Sequence, residues 1–193
     1  MERREKDNPL AIRNTKILLE RGADVNEQTT SRDYETALIA ASLHGHTSLA
    51  ETLLEKGADI NAQADYCGTA LIAASLQGHT SLAEILLKNG ADIDAQAGEY
   101  GTALIAASYG GHTFLARILL EEGADVKAQA GQYGTALIAA SNRGHTTVVE
   151  FLLEKGADIH TQAGCYGNAL IAASTSGKRV IQPGVSAINR SCA

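Results

Sequence analysis

The chain has 193 residues, with 16 basic and 22 acidic side chains and a net charge of −6. No basic excess is present to neutralise phosphates, so nucleic acid is set aside as a partner, and no apolar run approaches the roughly 20 residues that span a bilayer. Aromatic residues make up only 4%, Trp is absent and alanine is the commonest residue, a composition that fits closely packed helices rather than a β-sandwich.

The first residues, Met1 to Asp7, are densely charged with no apolar stretch behind them, so no secretory signal is read and residues 1–11 are expected to form a charged leader. Three cysteines without a secretion signal predict reduced thiols and a cytoplasmic protein, with the nucleus left open. Beyond this leader, the chain repeats itself. The run Thr36-Ala37-Leu38-Ile39-Ala40-Ala41-Ser42 returns at Thr69, Thr102 and Thr135, and as Asn168-Ala169-Leu170-Ile171-Ala172-Ala173-Ser174, in four steps of 33 residues. A second marker, Gly-Ala-Asp, begins at Gly22, Gly57, Gly90, Gly123 and Gly156. Its last three steps are 33 and its first is 35, which places two extra residues between Asn26 and Thr36. Self-similarity at such a period marks a repeat architecture.

Taken in chain order, a half unit over residues 12–35 carries a helix from about Ile12 to Arg21. Full units follow at 36–68, 69–101, 102–134 and 135–167. In each, a hydroxyl such as that of Thr36 suits a helix cap, and the six residues after it favour helix. Gly45-His46 stops that helix, and Thr47 offers the next cap. Leu49, Ala50, Leu53 and Leu54 then form one apolar stripe, with Glu51, Glu55 and Lys56 off it. Gly57 ends the second helix, and Ala58 to Cys67 is a polar loop or hairpin. A final half unit, 168–177, holds a first helix near Ala169 to Ser176. Aligning Gly177 with Gly144 puts Pro183 where Glu150 sits, inside a helix, so residues 178–193 are expected to be an irregular tail. Isolated helices this short are marginal in water, so the units must stack into a solenoid. Its ends are expected to leave Leu170 and Ile171 partly uncovered and to allow weak self-association.

A 33-residue period with Thr-x-Leu-x-x-Ala, then Gly-His, Leu-Leu and Gly-Ala-Asp resembles the ankyrin repeat, over roughly Asn14 to Gly177. The resemblance implies an all-α helix-turn-helix solenoid with short loops or β-hairpins between units. The chain departs from the family pattern in carrying Ala37 and Ile39 where Pro and His are usual, and Ala64, Ala97, Ala130 and Ala163 where the loop Asp is usual. The hairpin turns are therefore expected to differ from the family form. The Gly-x-Tyr-Gly-x-Ala-Leu-x-Ala-Ala-Ser style is similar to arrays attached to fungal NLR-like signalling NTPases.

No pattern in the chain points to chemistry, a cofactor or a metal. His46, His79, His112 and His145 recur once per unit, about 10 Å apart on helix-packing distances. Zinc needs its ligands within about 2.3 Å of one point, so these histidines are read as bonding turn backbone. Asp24, Asp59, Asp92, Asp125 and Asp158 have the same spacing and are read as loop caps. Cys67 and Cys165 lie three units apart, about 30 Å by the same spacing, too far for a disulfide. The Gly-Ala-Asp glycines end helices and form no phosphate-cradling loop. Columns whose residues differ between units are free of a folding duty. At the first-helix ends these are Leu43-His44, Leu76-Gln77, Tyr109-Gly110 and Asn142-Arg143. In the loops they are Asp65, Tyr66, Glu99 and Gln132, beside the tyrosines Tyr100, Tyr133 and Tyr166. The ankyrin family binds partners with loop tips and the exposed end of the first helix, so the resemblance makes these residues the candidate partner-binding surface. Neutral drift explains the variation, and ring-on-ring packing explains the tyrosines, equally well. The expected role is a non-catalytic protein–protein interaction scaffold. The alternatives are the ligand-sensing array of a larger signalling NTPase and, third, an accessory part of an enzyme.

Overall fold

A computed structural model of the chain describes residues 9–29 and 36–176. Among these residues the order is α1 (Pro9–Glu20), α2 (Ala37–Leu43), α3 (Thr47–Glu55), α4 (Ala70–Gln77), α5 (Thr80–Lys88), α6 (Ala103–Gly110), α7 (Thr113–Glu121), α8 (Ala136–Arg143), α9 (Thr146–Glu154) and α10 (Ala169–Thr175). The first helices α2, α4, α6, α8 and α10 stack in sequence, and each full unit packs its own pair, α2 on α3 through α8 on α9. The result is the all-α solenoid expected from the period. No helix of the described residues is long and apolar enough to cross a membrane.

Each first helix begins on its cap. The Oγ1 atoms of Thr36, Thr69 and Thr102 accept the backbone N–H three residues on, at 3.3 Å in each case, and that of Thr135 does so at 3.2 Å. In the last copy Asn168 Oδ1 takes the same bond from Ile171 at 2.9 Å. Glycines in the left-handed region end the middle helices, with Gly78 at φ 75° and Gly111 at φ 78°.

Two local expectations are corrected. The first helix starts at Pro9, three residues before Ile12. Proline is favoured at a first helical position because its missing N–H would be unpaired there anyway. The second helices are not capped by Thr47 and its equivalents. His46, His79, His112 and His145 occupy the N-cap position without a side-chain cap bond. The threonine is already the first helical residue, and the Thr47 hydroxyl donates back to the Gly45 carbonyl at 3.4 Å. The tight turn after Gly45, with the Thr47 N–H on the Gly45 carbonyl at 2.9 Å, draws the threonine into the helix. The expected irregular tail, 178–193, lies outside the described residues.

The core runs as a continuous strip through the units. Leu71, Ile72, Leu104, Ile105, Leu137 and Ile138 are buried, as are the alanine pairs Ala73-Ala74, Ala106-Ala107 and Ala139-Ala140. Methyl side chains at those positions let neighbouring first helices approach closely. Burial of one such Leu or Ile is worth about 1.5–3 kcal/mol. Between units the chain forms minimal hairpins, closed by antiparallel bridges between Ala64 and Gly68, Ala97 and Gly101, and Ala130 and Gly134. The alanines that replace the loop Asp thus pair through backbone alone, the Ala97 N–H reaching the Gly101 carbonyl at 2.9 Å.

Candidate functional site

The hairpin tips are stitched into a row by backbone hydrogen bonds from one unit to the next. The Glu99 N–H donates to the Tyr66 carbonyl at 3.1 Å, Gln132 N–H to the Glu99 carbonyl at 2.9 Å, and Cys165 N–H to the Gln132 carbonyl at 2.8 Å. Gly131 makes this approach feasible: its φ is 63°, and a Cβ there would lie 2.5 Å from the Glu99 carbonyl oxygen. One side-chain bond follows the same line, from Gln132 Nε2 to Glu99 Oε2 at 3.0 Å.

The tyrosines form a ladder beneath the tips. Ring centroids are 5.9 Å apart from Tyr66 to Tyr100, 5.7 Å from Tyr100 to Tyr133, and 6.0 Å from Tyr133 to Tyr166. The last two pairs are stacked, and the hydroxyls of Tyr66 and Tyr100 meet at 3.3 Å. Tyr109, at the end of α6, packs its ring 5.3 Å from Tyr100 and 4.5 Å from Tyr133, and so joins the helix-end column to the hairpin column. The guanidinium of Arg143, at the end of α8, lies 4.7 Å over the Tyr109 ring, within the range of a cation–π contact.

Tyr100 and Tyr133 are 7% and 5% exposed and present little more than an edge to solvent. Burial pushes both phenols well above their ordinary pKa, with a smaller push in the same direction from hydrogen bonds to Tyr66 and Tyr109 respectively. Burial also raises Tyr166. The two central tyrosines are thus structural rungs, while Tyr66, Tyr109 and Tyr166 are half-buried and keep an accessible face. Among the other candidates, His44, Asp65, Gln77 and Arg143 are exposed. Leu43, Leu76, Glu99, Gln132 and Asn142 are half-buried, and the two leucines rest against the core. The structure therefore gathers Tyr66, Glu99, Tyr100, Tyr109, Gln132, Tyr133, Arg143 and Tyr166 around one aromatic cluster. Leu43, His44, Leu76 and Gln77 continue the helix-end column through the earlier units, outside that cluster.

Three of the four column histidines bond turn backbone as expected, while the buried Nδ1 of His46 has no hydrogen-bond partner among the described residues. The Nε2 atoms of His79, His112 and His145 meet the backbone carbonyls of Leu43, Leu76 and Tyr109 in the preceding unit, at 3.3, 3.0 and 2.9 Å. Each ring rests against the helix-ending glycine of that unit, where a Cβ on Gly78 would come within 2.4 Å of the His112 ring. These histidines tether the helix ends that carry the candidate surface. Burial lowers the pKa of His112, a shift partly offset by its bond to the Leu76 carbonyl. Among the described residues no cluster of three or more His, Cys, Asp or Glu could hold a metal ion. The aspartates cap their own loops, as in Asn61 N–H to Asp59 Oδ1 at 3.0 Å and Lys127 N–H to Asp125 Oδ1 at 2.8 Å. Cys67 is buried. Cys165 is disulfide-bonded, which corrects the expectation of reduced thiols throughout. A missing secretion signal speaks to compartment, not to whether two sulfurs meet.

One row of inter-unit contacts escapes the column-by-column reading. Two residues after each Gly-Ala-Asp aspartate, Asn26 accepts the Asp59 N–H at 2.7 Å, Asn61 the Asp92 N–H at 2.9 Å, and Asp94 the Asp125 N–H at 3.0 Å. The signal in the sequence is the column Asn26, Asn61, Asp94, whose members all offer a side-chain oxygen. Lys127 ends it, since an ammonium accepts nothing.

A family model described as ankyrin repeats (3 copies) matches residues 10–97 and 94–163. A search of curated proteins returns no match.

Proposed function

The chain belongs to the ankyrin repeat family, and on that premise we propose that it is a non-catalytic scaffold that binds a partner protein through the face made by its first-helix ends and hairpin tips. Ankyrin repeats are in general protein–protein interaction modules. The observation that carries the reading here is the Tyr109–Arg143 tier. It links the two variable columns, and it sets an exposed guanidinium on an aromatic support at the meeting point of two units. Tyr and Arg are the residue types that supply binding energy at protein interfaces. The same reading includes weak self-association through the α10 end, where Leu170 and Ile171 are exposed.

Photo-crosslinking tests it. A benzophenone side chain placed at Gln77 or Asn142 captures the partner from cell extract, and the same group at Lys88 or Glu121, on second helices, does not. Replacing Gln77, Asn142 and Arg143 together by Ala weakens capture and leaves the circular dichroism melt nearly unchanged. Crosslinks confined to Lys88 and Glu121, or full capture by the triple variant, would overturn the assignment.

A further inference from the structure

Arg143 stands apart from every other residue of the helix-end column. The corresponding ends carry Leu43-His44, Leu76-Gln77, Tyr109-Gly110 and Thr175-Ser176, so Arg143 is the single permanently charged side chain in that row. Its guanidinium carbon lies 4.7 Å over the Tyr109 ring centre, and no carboxylate among the described residues pairs with it. By contrast Glu99, one step away in the hairpin row, is already engaged by Gln132. The side chain is exposed, which leaves N–H groups for a ligand. The planar edge of a guanidinium matches a carboxylate in two parallel hydrogen bonds. Contact with the Tyr109 ring restricts the side chain in advance, which lowers the ordering cost of binding. The net charge of −6 opposes an acidic ligand, so a preference for one at this face would have to come from the local Arg143 cation.

We propose that the Arg143–Tyr109 tier is a carboxylate-binding subsite, which takes an Asp or Glu side chain from an acidic peptide segment of the partner protein. The proposal rests on the reading of this face as the partner-binding surface. The guanidinium supplies the paired donors and Tyr109 supplies the platform. The half-buried Asn142 precedes Arg143 in the chain, and the half-buried Tyr166 of the same unit is near enough for the guanidinium to act on its phenol.

Selection from a phage-displayed random 12-residue peptide library, with the full chain as bait, tests this. Acidic residues are expected to be enriched over the input pool despite the negative charge of the bait. Arg143→Gln is expected to weaken binding of the selected peptides about tenfold or more, the scale of one hydrogen bond to a charged group. Arg143→Glu is expected to reverse the selection toward Arg and Lys. Both variants should keep the parental melting curve, since the side chain is exposed. No acidic enrichment, or enrichment that survives Arg143→Gln, would overturn the proposal. Selected peptides with no acidic bias that still crosslink through Gln77 would overturn it while leaving the partner-binding reading in place. Peptides that crosslink only through Glu121 would overturn both.

Discussion

The run Ala-Leu-Ile-Ala-Ala-Ser occurs both in α4 and in α10, and the two copies end in opposite environments. Leu71 and Ile72 in α4 are 0% and 1% exposed, whereas Leu170 and Ile171 in α10 are 78% and 52% exposed. Local structure is nevertheless the same. Both copies are helical, and both are capped by a side-chain oxygen three residues before the capped amide. Helix formation is thus a property of the unit, while burial is a property of its neighbours. α4 lies between α2 and α6, whereas among the described helices α10 packs mainly against α8. In a one-dimensional stack, stability is the sum of such nearest-neighbour terms.

The largest expected effect follows from truncating one column at two places. Leu71→Ala should cost about 2–5 kcal/mol, the range for a buried Leu that leaves a cavity. Leu170→Ala should stay within about 0.5 kcal/mol, as at a surface site. Urea denaturation of the two variants checks this, and equal losses would break the contrast.

The serine that closes each run sharpens it. Ser75 is buried and its Oγ has no hydrogen-bond partner among the described residues. Ser174 is exposed and donates to the Leu170 carbonyl at 2.8 Å. An unpaired buried hydroxyl costs about 1–3 kcal/mol. Ser75→Ala should therefore raise stability by about 1 kcal/mol, and Ser174→Ala should be close to neutral. A destabilised Ser75→Ala would mean that the hydroxyl is bonded after all.

The smallest effect is on pH. Burial holds the His112 pKa below its ordinary value of 6.5, so the unfolded chain takes up that proton more readily than the folded one. The contribution of the neutral ring is complete above about pH 6.5 and declines as the pH falls below it. The urea midpoint should drop between pH 7.5 and 5, and His112→Gln should shrink the drop. An unchanged drop would assign the acid sensitivity to other groups.

Much of this was legible in the sequence because a repeat states its own register. The capping role of Thr69 and the helix-ending role of Gly78 follow from one unit read by itself, and the spacing of the His112 column already excluded a shared metal. What resisted reading depends on two units at once. The oxygen of Asn61 matters only because the Asp92 amide arrives there, and the Tyr66 carbonyl only because Gly98 lets the next tip come close. Tyr109 is a variable position on the page, yet its ring is wedged between Tyr100 and Tyr133, so its variation has a packing consequence that column comparison hides. The onset of α1 was missed for a different reason. Pro9 stands in a charged stretch with no apolar periodicity before it, so only its suitability as a first helical residue marks the start.

Residue-resolved hydrogen exchange on the intact chain tests most directly the claim that neighbours, not sequence, set stability here. The amides of α4 and α6 should be the slowest, and those of α10 should exchange faster by orders of magnitude, although the helices share the run Ala-Leu-Ile-Ala-Ala-Ser. Equal protection in α4, α6 and α10 would contradict the account, since it would show that the helix itself, without a neighbour on each side, carries the stability.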